Sequence, residues 1–458
     1  MTGTGQGGRS AYQEFTQGLN LHFDLGCLLA LLPEAQRPAA LDELVGVDPL
    51  LFQYHVDPPP VVTASAVTEG TYRVRYALAR TVHSEAVQRR LLDLDDPGID
   101  RALAGNHRRG YETERRLRLR DPATVAAAPA YRSDHHRRAL LSGEPDLVAA
   151  ALLDRRTALH GGQKPVRPTE WAAAWRTVRL ADGPERVRRL AATLPAGAEL
   201  DEATRLVVAA CAEADPEPYL TSAEQRLLGA GALLARLREV RTPEERRLHR
   251  RGGSSLMEPY APDWAVIRAA GLLGQVPKVM RGDLADHPDC PADTAWALRT
   301  GRPAPHGLPP RQPPPPPEPR PVPGPRPYHR QPLDPGPLAA PSPAAVLDVT
   351  PLGRGVTTDH LFSAVELGLL DAATAVRRAR PAVSVVVCAG QTSSFHAHEQ
   401  EPGGGREAVH RATLEHVATT LGSAPSPPGL WREVRSLLRP YPGPLPELFA
   451  EAARRLRR

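Results

Sequence analysis

Between Pro303 and Pro343 the chain carries 19 prolines in 41 residues, including the run PPPPPEPRPVPGPRP. Proline fixes φ and offers no backbone N–H, so this stretch cannot enter a helix or the middle of a sheet. It is expected to be a disordered, extended spacer of the polyproline II type. A second reading makes it a ligand for an aromatic-lined groove on a partner. The P-x-x-P spacing does not separate the two, because any proline tract contains it. Either way it divides the 458 residues into 1–302, a linker over 303–343, and 344–458.

Ahead of the linker the sequence resembles itself. Val74–Pro97, VRYALARTVHSEAVQRRLLDLDDP, lies over Ile99–Pro122 at an offset of 25 residues. Val74 meets Ile99, Leu78 meets Leu103, Ala79 meets Ala104, Leu92 meets Leu117, and Asp96-Pro97 meets Asp121-Pro122. The apolar positions follow the i, i+4 spacing of a helix face. At an offset of 206, Leu284, Ala285, Leu298 and Pro303 take the places of Leu78, Ala79, Leu92 and Pro97. Further corners, each a Pro followed by an apolar helix pattern, fall at Pro145, Pro184, Pro216 and Pro243. Units this short cannot bury their apolar faces alone and must stack on their neighbours.

The stretches ALARTVHSEAVQRRLLDLDDP and DLADHPDCPADTAWALRTGRP, with the 25-residue period, resemble the leucine-rich repeat variant family. That family is an α-solenoid in the style of HEAT repeats. The resemblance covers about residues 57–122 and 280–303. It implies an all-α fold: an irregular right-handed α-solenoid of short helical repeats over 1–302. Some members of the family hold an iron–sulfur cluster on clustered cysteines. Cys27, Cys211, Cys290 and Cys388 are scattered, so the resemblance brings no cofactor here. The segment 344–458 is expected to be a small, mainly helical domain, with 382–390 (AVSVVVCAG) readable as either strand or helix.

Hydrophobic residues make up 41% of the chain but aromatics only 5%, so a core of Leu, Val and Ala is expected, which suits helix-on-helix packing. The net charge is +5, yet Lys164 and Lys278 are the only lysines beside abundant Arg, Ala, Pro and Gly. GC-rich coding produces that composition whatever the function, so only local clustering of Arg is informative. The dispersed cysteines argue against a disulfide framework or a zinc ribbon and fit a reducing cytoplasm. The apolar run Leu25–Leu32 is too short to span a bilayer and lacks a basic flank, so it reads as a first amphipathic helix, with no membrane role.

No G-x-S-x-G, P-loop or H-E-x-x-H is present, so the protein is expected not to be an enzyme, with no metal and no cofactor. Asp286, His287, Asp289, Cys290 and Asp293 fall within eight positions and could suggest a metal. Pro288 and Pro291 instead make this a corner between two helices, with Asp289 or Cys290 at the cap and Ala295 and Leu298 facing inward. His396 and His398, with Glu399 and Glu401, could chelate on an extended segment, but a solvated loop beside a Gly-rich turn is the preferred reading. Asp134-His135-His136 is weaker still. Trp171 and Trp175, one helical turn apart, could stack on bases, though such a pair usually belongs to a core.

The most uneven charge lies in Asp100–Arg138, where ten arginines face five acids. Arg108, Arg109, Arg115, Arg116 and Arg118 are therefore the candidate phosphate contacts if the array binds nucleic acid. The leading expectation is a non-enzymatic scaffold that binds a protein partner, since repeats build long surfaces and no catalytic cluster is visible.

Overall fold

The computed structural model describes residues 21–53, 58–130, 132–154, 166–194, 200–245, 247, 257, 259–306, 347, 361, 364–391, 404–422 and 426–458. Every element within them is a helix, and no strand occurs among the described residues. The helices are short because the chain supplies start signals at close intervals. Thr71 accepts from the Val74 N–H, Ser84 from Val87, Asp96 from Gly98 and Ile99, Asp201 from Ala203 and Thr204, and Asp263 from Ala265 and Val266. Each satisfies amides that a helix start leaves without an intrahelical partner. Pro60, Pro97, Pro145 and Pro168 occupy first helical positions, where a missing N–H costs nothing.

The aligned segments take the same form. Helices Tyr72–Ala79, Pro97–Ala104 and Lys278–Ala285 have the same length and start at offsets of 25 and 206 residues. Each is followed by a second helix: Glu85–Leu92, Tyr111–Arg120 and Ala292–Thr300 respectively. Val74, Leu78, Ala79, Ile99, Leu103, Ala104, Leu284, Ala285, Leu92, Leu117 and Leu298 are all buried. Pro145 opens helix Pro145–Leu152 and Pro216 caps Glu217–Leu228. Pro184 lies inside Pro168–Ala192, which bends at Gly183 (φ 76°, ψ 179°), so two helices meet there at a corner. Residues 382–390 resolve to helix, within Ala382–Gln391.

The chain divides into two compact units. One comprises Met1–Glu114, Ala128–Ala130 and Gln331–Arg458, so residues on both sides of the Pro-rich stretch belong to it. The other comprises Arg115–Ala127 and Tyr131–Arg330.

In the second unit, packing follows chain order. Ser133–Leu140 lies on Pro145–Leu152, that on Pro168–Ala192, that on Glu202–Cys211, and that on Glu217–Leu228. Trp264–Leu272 and Lys278–Ala285 both pack on Ala292–Thr300. Two cores result. One is centred on Leu147, Trp171, Trp175, Val178 and Val207, the other on Leu237, Ile267, Met280, Leu284 and Leu298.

In the first unit the early helices also pack on near neighbours, but residues 21–48 face the other end of the chain. Helix Arg37–Val47 packs on Leu430–Leu437. Helix 21–31 lies against Ala382–Gln391, where a Cβ on Gly390 would stand 2.6 Å from the Cα of Cys27. The ring of Trp431 and the side chains of Val434, Leu437, Leu445 and Phe449 are buried there with Leu25, Leu28, Leu41 and Leu44 elsewhere in the same unit.

Candidate interaction surface

The structure sorts the five candidate arginines by depth. Arg109 is 1% exposed. Its Nε donates to Glu114 Oε2 at 2.9 Å and its Nη1 to the Ala104 carbonyl at 2.7 Å, which fixes the turn leading into Tyr111–Arg120. Arg118 is also 1% exposed, and its Nη2 donates to Asp154 Oδ2 at 3.1 Å. Both side chains of that pair are at 0% exposure. Arg115 forms a fork on Glu144, with Nη2–Oε2 at 2.5 Å, and that hydrogen bond holds the Glu144 carboxyl below its ordinary range. Arg108 and Arg116 are half-buried, and Arg108 contacts the His83 ring.

Arg108 and Arg109 belong to the first unit, and Arg115, Arg116 and Arg118 to the second. Arg109 and Arg118 are corrected as phosphate contacts: both are buried internal ties. The sequence leaves Arg118 on a solvated or phosphate-facing side because its partner is not visible locally. Asp154 lies 36 residues from Arg118. A buried guanidinium without its carboxylate would be strongly unfavourable, so the pairs are required once the arginines are inside.

The other candidates resolve as follows. Trp171 and Trp175 are both 2% exposed, and Trp175 Nε1 donates to Thr204 Oγ1 at 3.3 Å, so neither ring is free to stack on a base. His136 is buried, with Nε2 at 3.0 Å from the Ala151 carbonyl and its ring edge-on to Trp171. Arg137 pairs with the buried Glu170 at 2.5 Å. Cys290 is buried at 3% in the core with Leu284 and Leu298, and Pro291 stands at the cap of Ala292–Thr300, one residue later than expected. Asp286 pairs with Arg299 and Asp293 with Arg268, so these two carboxylates point to neighbouring helices. Among the described residues no group of three or more His, Cys, Asp or Glu is gathered as a metal would need. The His396, His398, Glu399 and Glu401 motif lies outside the described residues, as does the Pro-rich stretch from residue 307 onward.

A cleft between Trp175, Val207 and Leu220 has a cavity volume of about 10 Å³, roughly one water. Arg179 crosses it, donating from Nε and Nη2 to Glu224 at 2.6 and 2.7 Å and also to Glu217. What the second unit does offer is apolar surface. Leu273 is 71% exposed, Leu180 60% and Tyr219 53%, with Val266 and Trp296 also exposed. Val266 and Leu273 are seven residues apart at Trp264–Leu272 and share a helix face. No helix among the described residues is long and apolar enough to cross a membrane.

No family model, no curated protein and no solved structure matches this chain.

Proposed function

We propose that the chain is a non-enzymatic helical-repeat scaffold, an irregular α-solenoid in the style of HEAT repeats, that binds a protein partner. The observation that carries this reading is the order of packing in the second unit, where helices pack on those next to them in the chain. Such quasi-one-dimensional stacking creates an extended surface instead of a closed pocket. Trp296 and Leu273 supply the exposed apolar and aromatic groups that anchor protein interfaces.

The decisive experiment is affinity capture with the full chain, with and without nuclease, beside a Leu273→Glu/Trp296→Glu variant. A protein retained after nuclease treatment and lost from the double variant, with helical circular dichroism unchanged, is the expected result. Retention abolished by nuclease alone would favour nucleic-acid binding through the exposed arginines instead, and would overturn the reading.

A further inference from the structure

The first unit is built from two lengths of chain that meet through contacts of interface type. From the N-terminal side come helix 21–31 and helix Arg37–Val47. From the C-terminal side come Ala382–Gln391, Leu430–Leu437 and Leu445–Leu456. Arg439 Nε donates to Asp24 Oδ2 at 2.6 Å, across 415 residues of sequence. Arg435 Nη2 donates to Asp48 Oδ2 at 2.7 Å, and His22 Nε2 lies 2.8 Å from the same oxygen. The Glu43 carboxylate accepts from the Arg432 backbone N–H at 2.9 Å, and Gln36 Oε1 accepts from the Ser426 hydroxyl at 2.8 Å. Beside these polar ties helix Arg37–Val47, with Leu41, Leu44 and Val45 buried, packs on Leu430–Leu437, with Trp431, Val434 and Leu437 buried, and Gly390 approaches the backbone of Cys27.

An apolar centre with arginines around it is the anatomy of an interface between separate molecules. The covalent path between the two sides runs through the whole second unit and the Pro-rich stretch. The junction therefore does not depend on local chain connection. Whether it closes within one chain or between two is set by effective concentration, which falls as a tether lengthens.

We propose that the C-terminal helices are an exchangeable docking piece, and that the surface formed by helices 21–31 and Arg37–Val47 accepts them from a second copy of this chain as well as from its own. Two copies that exchange reciprocally make a closed symmetric dimer in which each junction is native. This goes beyond the scaffold reading and rests on different residues, so either can fail without the other.

The test uses reciprocal charge reversal in full-length chains carrying distinguishable tags. Asp24→Arg alone sets two cations at the junction, and Arg439→Asp alone sets two carboxylates there. In a reciprocal dimer of one of each, one junction pairs the two substituted residues and the other the two original ones. Both variants, unfolded together and refolded at neutral pH, are expected to give a species of twice the monomer mass containing both tags, formed by neither variant alone. A single chain carrying both substitutions is expected to return to monomer with melting near wild type. Monomers in the mixture, while that doubly substituted chain recovers, would overturn the proposal. If it does not recover, differently tagged wild-type chains refolded together decide the matter. A share of mixed dimer that grows with concentration supports exchange, and monomer at every concentration refutes it.

Discussion

Gly390 stands so close to Cys27 that a Cβ added to it would lie 2.4 Å from the Cys27 Cβ and 2.9 Å from its carbonyl oxygen. The contact joins two helices from opposite ends of the sequence, and no flexible side-chain tip is available to yield. Gly390→Val should therefore lower the stability of the first unit by about 1–3 kcal/mol, the usual cost of overpacking. Urea unfolding followed by circular dichroism would measure it, and an unchanged midpoint would contradict the close approach.

The Arg118–Asp154 pair is at 0% exposure on both sides. Asp154→Ala leaves a buried cation and should cost on the order of 3–5 kcal/mol. Replacing both partners together, Arg118→Met with Asp154→Leu, removes the charges as a pair and should cost much less. A double-mutant cycle by thermal melting would show the large positive coupling. Additive losses would mean that the two groups do not depend on each other.

Burial pushes Asp24 up from its ordinary value to about 6, against the opposing pull of the hydrogen bond and charge of Arg439. A folded-state pKa above the unfolded one means that the folded chain holds its proton longer. The stability from this group is then fully present below about pH 3.8 and is lost as pH climbs through about 6. Asp24→Asn should abolish that loss. The difference in melting temperature between Asp24→Asn and wild type should grow in favour of the variant from pH 4 to pH 7.5, and a constant difference would refute the assignment. Asp48 behaves oppositely, since hydrogen bonds from His22 and Arg435 hold its carboxyl well below the ordinary range despite burial. Its stabilising contribution persists at neutral pH and disappears only in strong acid.

Leu284 and Cys290 share one core with Leu298. Leu284→Ala should cost about 2–5 kcal/mol, the range for a fully buried leucine. Cys290→Ser should be destabilising as well, by a smaller amount, because it places a hydroxyl where a buried thiol packs as a small hydrophobe. Equilibrium unfolding of both variants would rank them.

Much of the local plan can be read from the sequence. The offsets of 25 and 206 residues locate the helices Tyr72–Ala79, Pro97–Ala104 and Lys278–Ala285, because cap, proline and apolar period act within a few residues of each other. Trp171 and Trp175 likewise reveal their core role through helical spacing. Arg118 does not, because whether its guanidinium faces water or a buried carboxylate depends on Asp154, a partner 36 residues away that local pattern cannot supply. The helix Ala382–Gln391 is ambiguous for a related reason: its β-branched run is buried where the helix packs on Gly404–Leu421 and Leu445–Leu456, and tertiary packing outweighs propensity there. The union of residues 21–48 with the C-terminal helices leaves no trace in any window of sequence.

That union has a consequence for synthesis. Gln36 leaves the ribosome 390 residues before Ser426, its hydrogen-bond partner. At about 5–20 residues per second the wait is on the order of 20–80 s, long compared with helix formation or collapse. The second unit has all its residues before the first does, so it can complete folding while helix Arg37–Val47 still lacks Leu430–Leu437, on which it packs. Nascent chains stalled before residue 426 are expected to be cut by protease within residues 21–48 and spared in the second unit. The N-terminal helices, although the first to be made, thus wait for partners that are made last.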